Sequence, residues 1–238
     1  MIKTLSPGTT VLCRQTLMNK IADNFKVIKD VLIVELSDIS YVCTPADIIK
    51  EDKNPPKFIL VVEKDSCFQN LLDDGLLAKF YPIILMTGKG YPDINTRSLL
   101  VSFSNLYRNI PILVLTDSDP HGFDIMTIYK FGSKELFRES QNLVCSKVHW
   151  LGLLPTDIER FNLPSTLIPF NRYDTSKCAE LLKRPYMAQE ANKDYLYEVE
   201  YLKNLGKKAE IENLASIKDN FLMAMYLPIK LKEINIEF

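Results

Sequence analysis

The stretch that most constrains this chain is Ile112-Leu113-Val114-Leu115-Thr116-Asp117-Ser118-Asp119-Pro120-His121-Gly122. An unbroken apolar run of this length reads as a strand buried on both faces. Two acids spaced i, i+2 stop it abruptly. Pro120 cannot continue a hydrogen-bonded ladder but suits the first turn of a helix, and the segment Phe123 to Lys130 carries that helix. Asp117 and Asp119 are therefore expected at the carboxyl end of a strand, where open α/β sheets place their chemistry.

A second apolar run, Phe58-Ile59-Leu60-Val61-Val62, ends the same way, in Glu63-Lys64-Asp65. If the two strands are parallel neighbours, Glu63 faces Asp117 and Asp119 across one edge. Three carboxylates gathered there repel one another and raise their pKa values unless a cation sits between them. An all-oxygen set of this kind suits Mg²⁺, which keeps water and phosphate oxygens in its shell. The bland alternative is that Asp119 is a helix N-cap and Glu63 a charge at a helix entrance. For a single acid that alternative is favoured; for three acids each ending a buried strand, the metal site is favoured.

Between and around these runs the pattern alternates. A helix is expected over 65–79, a strand over 82–86, a helix over 94–108, and a strand over 144–151. Strand–helix alternation with short loops predicts a parallel sheet with right-handed crossovers. Ahead of it, Leu12, Leu17, Met18, Ile21, Phe25 and Ile28 keep a 3–4 spacing that predicts a helix over 9–28, followed by strands at 31–36 and 41–43. The polar, proline-bearing segment 50–56 marks a boundary, dividing residues 1–54 from 55–238. Beyond Gly152, prolines punctuate short segments, and helices are expected over 187–204 and 208–226, the latter ending before Pro228.

The composition is that of a globular protein, and its longest apolar runs are strand-sized, so no membrane span is expected. Five scattered cysteines without a C-x-x-C pair argue against zinc and against a disulfide framework. With 29 basic and 30 acidic residues there is no global field to attract nucleic acid, so any DNA affinity must come from a local patch. The loop Thr87-Gly88-Lys89-Gly90-Tyr91-Pro92-Asp93 supplies one candidate. Gly88 and Gly90 let backbone approach a ligand, Lys89 and Arg97 bring charge, and Tyr91 brings a ring for a groove or sugar. His121 and Arg184 are further candidates for phosphate contact. Their bland readings are a helix-start histidine and a surface salt bridge.

One glutamate on a strand and an Asp-x-Asp on a later strand resemble the toprim domain. Longer blocks resemble one family that uses it: the meiotic DNA double-strand-break proteins, homologues of the A-type chain of topoisomerase VI. Val61-Val62-Glu63-Lys64-Asp65 with Phe68-Gln69 is similar to the family's first toprim motif. Asp117-Ser118-Asp119-Pro120-His121-Gly122 with Tyr129-Lys130-Phe131-Gly132-Ser133 is similar to the second. The 87–93 loop resembles the meiotic branch, and Trp150-Leu151-Gly152-Leu153-Leu154-Pro155 and Arg184-Pro185-Tyr186 resemble later blocks.

The resemblance implies a toprim-type parallel sheet flanked by helices, preceded by the remnant of a winged-helix domain and followed by a helical extension. It implies a dimer that cuts both strands of double-stranded DNA by transesterification from a tyrosine. Glu63, Asp117 and Asp119 would hold Mg²⁺, and Lys89, Tyr91, Arg97, His121 and Arg184 would contact DNA. It also implies nuclear action, meiotic accessory proteins and a topoisomerase VI B-like partner. The place of the family's tyrosine reads Ile2-Lys3-Thr4-Leu5-Ser6-Pro7-Gly8 here, with no tyrosine. The chain is therefore expected to lack most of its winged helix and not to cleave alone. The alternatives are a nuclease that hydrolyses phosphodiesters with metal-activated water, and a non-catalytic protein that serves DNA binding or interaction only.

Overall fold

The computed structural model describes residues 55–133, 143–163 and 167–237, together with the backbone of three strands at 10–14, 26–28 and 31–35. Those three are β1 (Thr10–Arg14), β2 (Lys26–Ile28) and β3 (Val31–Glu35). Then follow β4 (Ile59–Val62), α1 (Asp65–Asp73), α2 (Leu76–Phe80), β5 (Ile84–Thr87), α3 (Ile94–Leu106), β6 (Ile112–Leu115), α4 (Pro120–Phe131) and β7 (Val148–Gly152). The seven strands are ordered β2-β3-β1-β5-β4-β6-β7. Strands β4 and β5 run parallel, with Ile59 opposite Ile84 and Val62 opposite Thr87. Every side chain of β4, β5 and β6 is buried, as unbroken apolar runs require when both faces are covered.

The described residues group into two compact units. The first draws on residues 1–114 and 128–149, and the second on 115–127 and 150–237. In the first, Phe58, Leu60, Phe68, Leu71, Leu85, Leu100 and Phe103 form the core. Asp93 starts α3 by accepting the Thr96 amide at 2.6 Å, an N-cap of the usual kind. The helix expected over 65–79 is broken in two at Gly75, whose φ of +83° is open to glycine at little cost.

The second unit contains α5 (Pro155–Arg160), the ribbon of β8 (Ile168–Pro169) and β9 (Lys207–Lys208), α6 (Arg172–Leu182), α7 (Lys193–Leu205) and α8 (Leu227–Glu233). Its core includes Phe123, Leu153, Ile158, Leu181, Val199, Leu202, Leu214 and Tyr226. A buried ion pair fastens α8 to α5: Lys230 Nζ lies 3.1 Å from Asp157 Oδ2, which also accepts the Tyr226 hydroxyl at 2.6 Å. The Tyr226 oxygen occupies the space that a Cβ on Gly152 would need. Among the described residues no helix is long and apolar enough to cross a membrane.

Two further helix expectations are corrected. Over 9–28, the described residues are strands: β1 pairs antiparallel with both β3 and β5, with Thr10 opposite Glu35 and Thr87, so sheet pairing overrides the helical spacing. The remaining positions of that expected helix, and the 41–43 strand, lie outside the described residues. Over 208–226, the chain first runs extended, makes a short 3₁₀ segment (Ile211–Ser216), and then a π turn (Leu222–Tyr226) that leads straight into α8. Pro228 therefore lies inside the helical stretch. The widened turn before it accommodates a residue that has no amide hydrogen to give.

Candidate functional site

In the first unit, Glu63 stands directly after β4, half-buried. Its carbonyl oxygen organises the loop behind β5. It accepts the Gly90 amide at 2.8 Å and the Thr87 hydroxyl at 3.3 Å, while Thr87 Oγ1 accepts the Lys89 amide at 3.1 Å. These bonds tie the 87–90 loop to the glutamate's own backbone. Gly88 is packed so closely on the buried Tyr129 hydroxyl that a Cβ would come within 2.8 Å of it. Burial pushes that phenol's pKa up, and the charges of Asp93 and Glu63 push it further. Lys89 is exposed and lies 3.6 Å from Asp65. An exposed pair of this kind contributes little to stability and is readily exchanged for another anion. Tyr91 is 47% exposed.

In the second unit, Asp117 and Asp119 follow β6 as expected. Asp117 is buried, and its Oδ1 accepts the amide of Ile211 at 2.9 Å. Asp119 is half-buried, and its Oδ1 accepts the Gly122 amide at 2.6 Å. Asp119 is thus an N-cap of α4, so the bland reading of this residue describes a real bond, while its second oxygen is not used in that cap. Gly122 is dictated by packing: a Cβ there would overlap the Asp117 carbonyl oxygen and stand 3.1 Å from Thr116 Cβ. His121 is exposed on the first turn of α4.

Both arginines singled out from the sequence lie inside their units. Arg97 is 2% exposed, and its Nη2 donates to the Leu143 carbonyl at 3.2 Å. Burial lowers its pKa, with Tyr129 opposing. Arg184 is 8% exposed, 2.6 Å from Asp124 of α4, and donates to Tyr186 and Thr127. Burial works against its charge, but the bonds to Tyr186 and Asp124 outweigh burial and raise its pKa. Lys177 joins the same Asp124 at 2.6 Å. Arg97 and Arg184 therefore brace helices in this structure, and the exposed candidates are Lys89, Tyr91 and His121.

Sequence reasoning missed the segment Lys208–Ile211. Ser118 and Ala209 form a two-way backbone bridge, Ser118 N–H to Ala209 O at 2.9 Å and the reverse at 3.2 Å. Nothing in the spacing of residues some ninety positions apart announces this, and the Ile-Pro and Lys-Lys strands of the short ribbon before it carry little β-propensity.

Among the described residues no three His, Cys, Asp or Glu side chains are gathered as a ready metal cage. The donor chemistry of Asp117 and Asp119, and of Glu63 in its own unit, is carboxylate oxygen alone. That is a set for a hard cation such as Mg²⁺ or Mn²⁺ and not for a soft one.

A parallel α/β sheet with acids after β4 and β6 defines the toprim class of domain. Residues 58–231 match the family model for the toprim domain shared by Spo11 and the A-type chain of topoisomerase 6, and the protein belongs to that family. It is 43% identical over 177 residues to the meiotic recombination protein SPO11 of Mus musculus, covering 74% of this chain and 44% of that protein. It is 41% identical to the Homo sapiens protein of the same name, covering 80% and 48%. With the A-type chain of DNA topoisomerase 6 from Arabidopsis thaliana it shares 32% identity over 79% of this chain and 43% of that protein. The chain spans about half the length of the curated relatives it matches.

Proposed function

We propose that this chain is the magnesium-holding, DNA-binding part of a topoisomerase VI A-like protein that makes meiotic double-strand breaks by transesterification. The observation that carries this reading is the family match over 58–231, within which the three acids stand directly after their strands. Asp117 and Asp119 hold the ion in the second unit, and Glu63 offers the same carboxylate chemistry in the first. Bound there, Mg²⁺ would offset the charge that builds up on the phosphodiester under attack.

The chain's own residues supply the rest of the reading. Lys89 and Tyr91 meet double-stranded DNA from the loop tied to Glu63, and His121 meets a phosphate from the first turn of α4. Arg97 and Arg184 hold the helices that carry these groups. The working form is a homodimer in the nucleus, assisted by meiotic accessory proteins and by a topoisomerase VI B-like partner; the relatives' names speak of meiotic recombination and of an A subunit of topoisomerase 6.

The test is anisotropy of a labelled duplex titrated with the full chain, with and without Mg²⁺. Affinity is expected to rise with Mg²⁺, and Asp117→Asn to abolish that rise. Lys89→Ala should weaken binding uniformly across sequences and reduce the salt slope by about one, the behaviour of a single phosphate contact. Affinity that is independent of metal and untouched by Asp117→Asn would refute the reading.

A second reading is hydrolysis by metal-activated water. In it Asp117 and Asp119 would hold the ion that activates the water, and no tyrosine nucleophile is needed. Free 5′-phosphate ends on the product support it, and protein-linked ends exclude it.

A further inference from the structure

We propose that the strap Lys208–Ile211 is the positioning element of the metal site, and that the Ile211 amide sets the orientation of the Asp117 carboxylate. This rests on the reading of Asp117 as a magnesium ligand.

Three bonds make the strap rigid against the end of β6. Ser118 and Ala209 exchange amide bonds at 2.9 and 3.2 Å, and the next-but-one amide, Ile211, reaches Asp117 Oδ1 at 2.9 Å. Ala209, Ile211, Asp117 and Ser118 are all buried, so these bonds do not compete with water. The strap is anchored from its other side as well. Lys208 Nζ lies 3.0 Å from both oxygens of Asp174, which is buried and forms the capping box of α6 with Asn171. A ribbon, an ion pair and a backbone bridge thus fix one amide hydrogen on one carboxylate oxygen.

A carboxylate whose plane is fixed before the cation arrives loses less rotamer freedom on binding it, and partners of this kind raise metal affinity strongly. The fixing amide belongs to the backbone. No side chain at 211 is required for it, which is why the sequence gives no sign of the arrangement.

The backbone also permits a clean test. Ile211 is the first residue of its 3₁₀ segment, and Glu210 before it is already extended, at φ −86° and ψ 154°. Both conditions suit proline, so Ile211→Pro removes the amide hydrogen without asking the chain to change course. Ile211→Ala keeps the hydrogen and trims the side chain, which controls for lost packing. The measurement is Mn²⁺ affinity of the full chain, read from the free-ion electron paramagnetic resonance signal, with circular dichroism melts alongside.

Ile211→Pro is expected to weaken Mn²⁺ binding about tenfold or more, and Ile211→Ala to leave it within about threefold. If the two variants bind alike while Asp117→Asn abolishes binding, the positioning role is overturned and the metal reading stands. If Asp117→Asn leaves Mn²⁺ affinity unchanged, the metal reading falls and the positioning role with it. Should Ile211→Pro fail to fold, Lys208→Met carries the test, because it releases the strap at Asp174 without touching Asp117. A loss of about threefold or more supports the proposal, and unchanged affinity overturns it.

Discussion

Replacing Gly122 by alanine should destabilise this protein even though alanine is the better helix former. Gly122 lies in the first turn of α4, where alanine would gain up to about 1 kcal/mol in helix propensity. Against that gain stands a collision with backbone. The added Cβ overlaps the Asp117 carbonyl oxygen, and it sits 3.1 Å from the carbonyl carbon and from Thr116 Cβ. Carbon–carbon contacts are comfortable only from about 3.5 Å, so even these two require a shift of roughly 0.4 Å, and the oxygen requires more. Neither partner can rotate away, because Thr116 and Asp117 are held by bonds to Gly152 and Ile211. Overpacking of this kind costs about 1–3 kcal/mol and occasionally more, and a rigid backbone partner places it at the upper end. The net expectation is a loss of about 2 kcal/mol.

For a chain of this size that corresponds to a fall in Tm of about 4–8 °C. The first turn of α4 must also shift away from Thr116 and Asp117. Urea denaturation of wild type and Gly122→Ala, fitted with a common m-value, is the assay. Equal or greater stability of the alanine variant would refute the packing argument outright.

Lys230→Met should cost about 3 kcal/mol, because it leaves the buried Asp157 carboxylate with only the half-exposed Arg160, at 3.9 Å, as a cation; a variant within about 1 kcal/mol of wild type in the same urea assay would contradict the expectation. Burial raises the pKa of Glu198, with the Thr156 hydroxyl and amide opposing. A carboxyl whose folded pKa is raised contributes stability below its ordinary value of 4.5 and loses it as pH climbs through the folded pKa. Wild type should therefore lose stability relative to Glu198→Gln as pH rises from about 4.5 toward neutrality, and parallel pH profiles for the two would sink this assignment.

The acids and the strands that carry them were legible because both signals are local. An unbroken apolar run cut by Asp-Ser-Asp-Pro defines a buried strand, its end and the helix after it within eleven residues, and β6 and α4 stand where that reading puts them. The same holds for β4 and Glu63. Spacing misled where long-range pairing decided the outcome. The run beginning at Leu12 has helical periodicity, yet its first described residues pair with β3 and β5. The run after Lys207 begins as a strap because Ser118 offers it a bridging partner.

Charge is the other divide between sequence and structure. Lys89, Arg97 and Arg184 are equally plausible phosphate contacts on paper, and only burial separates the exposed lysine from two arginines held inside their units. The sequence by itself determined which residues end the strands, since periodicity and proline act over a few positions. The tertiary structure alone decided which carboxylate oxygens are already bonded, which cations face water, and that an amide ninety-four positions away holds Asp117. Those outcomes depend on which backbone atoms meet in space, and a backbone amide is the same in every residue but proline.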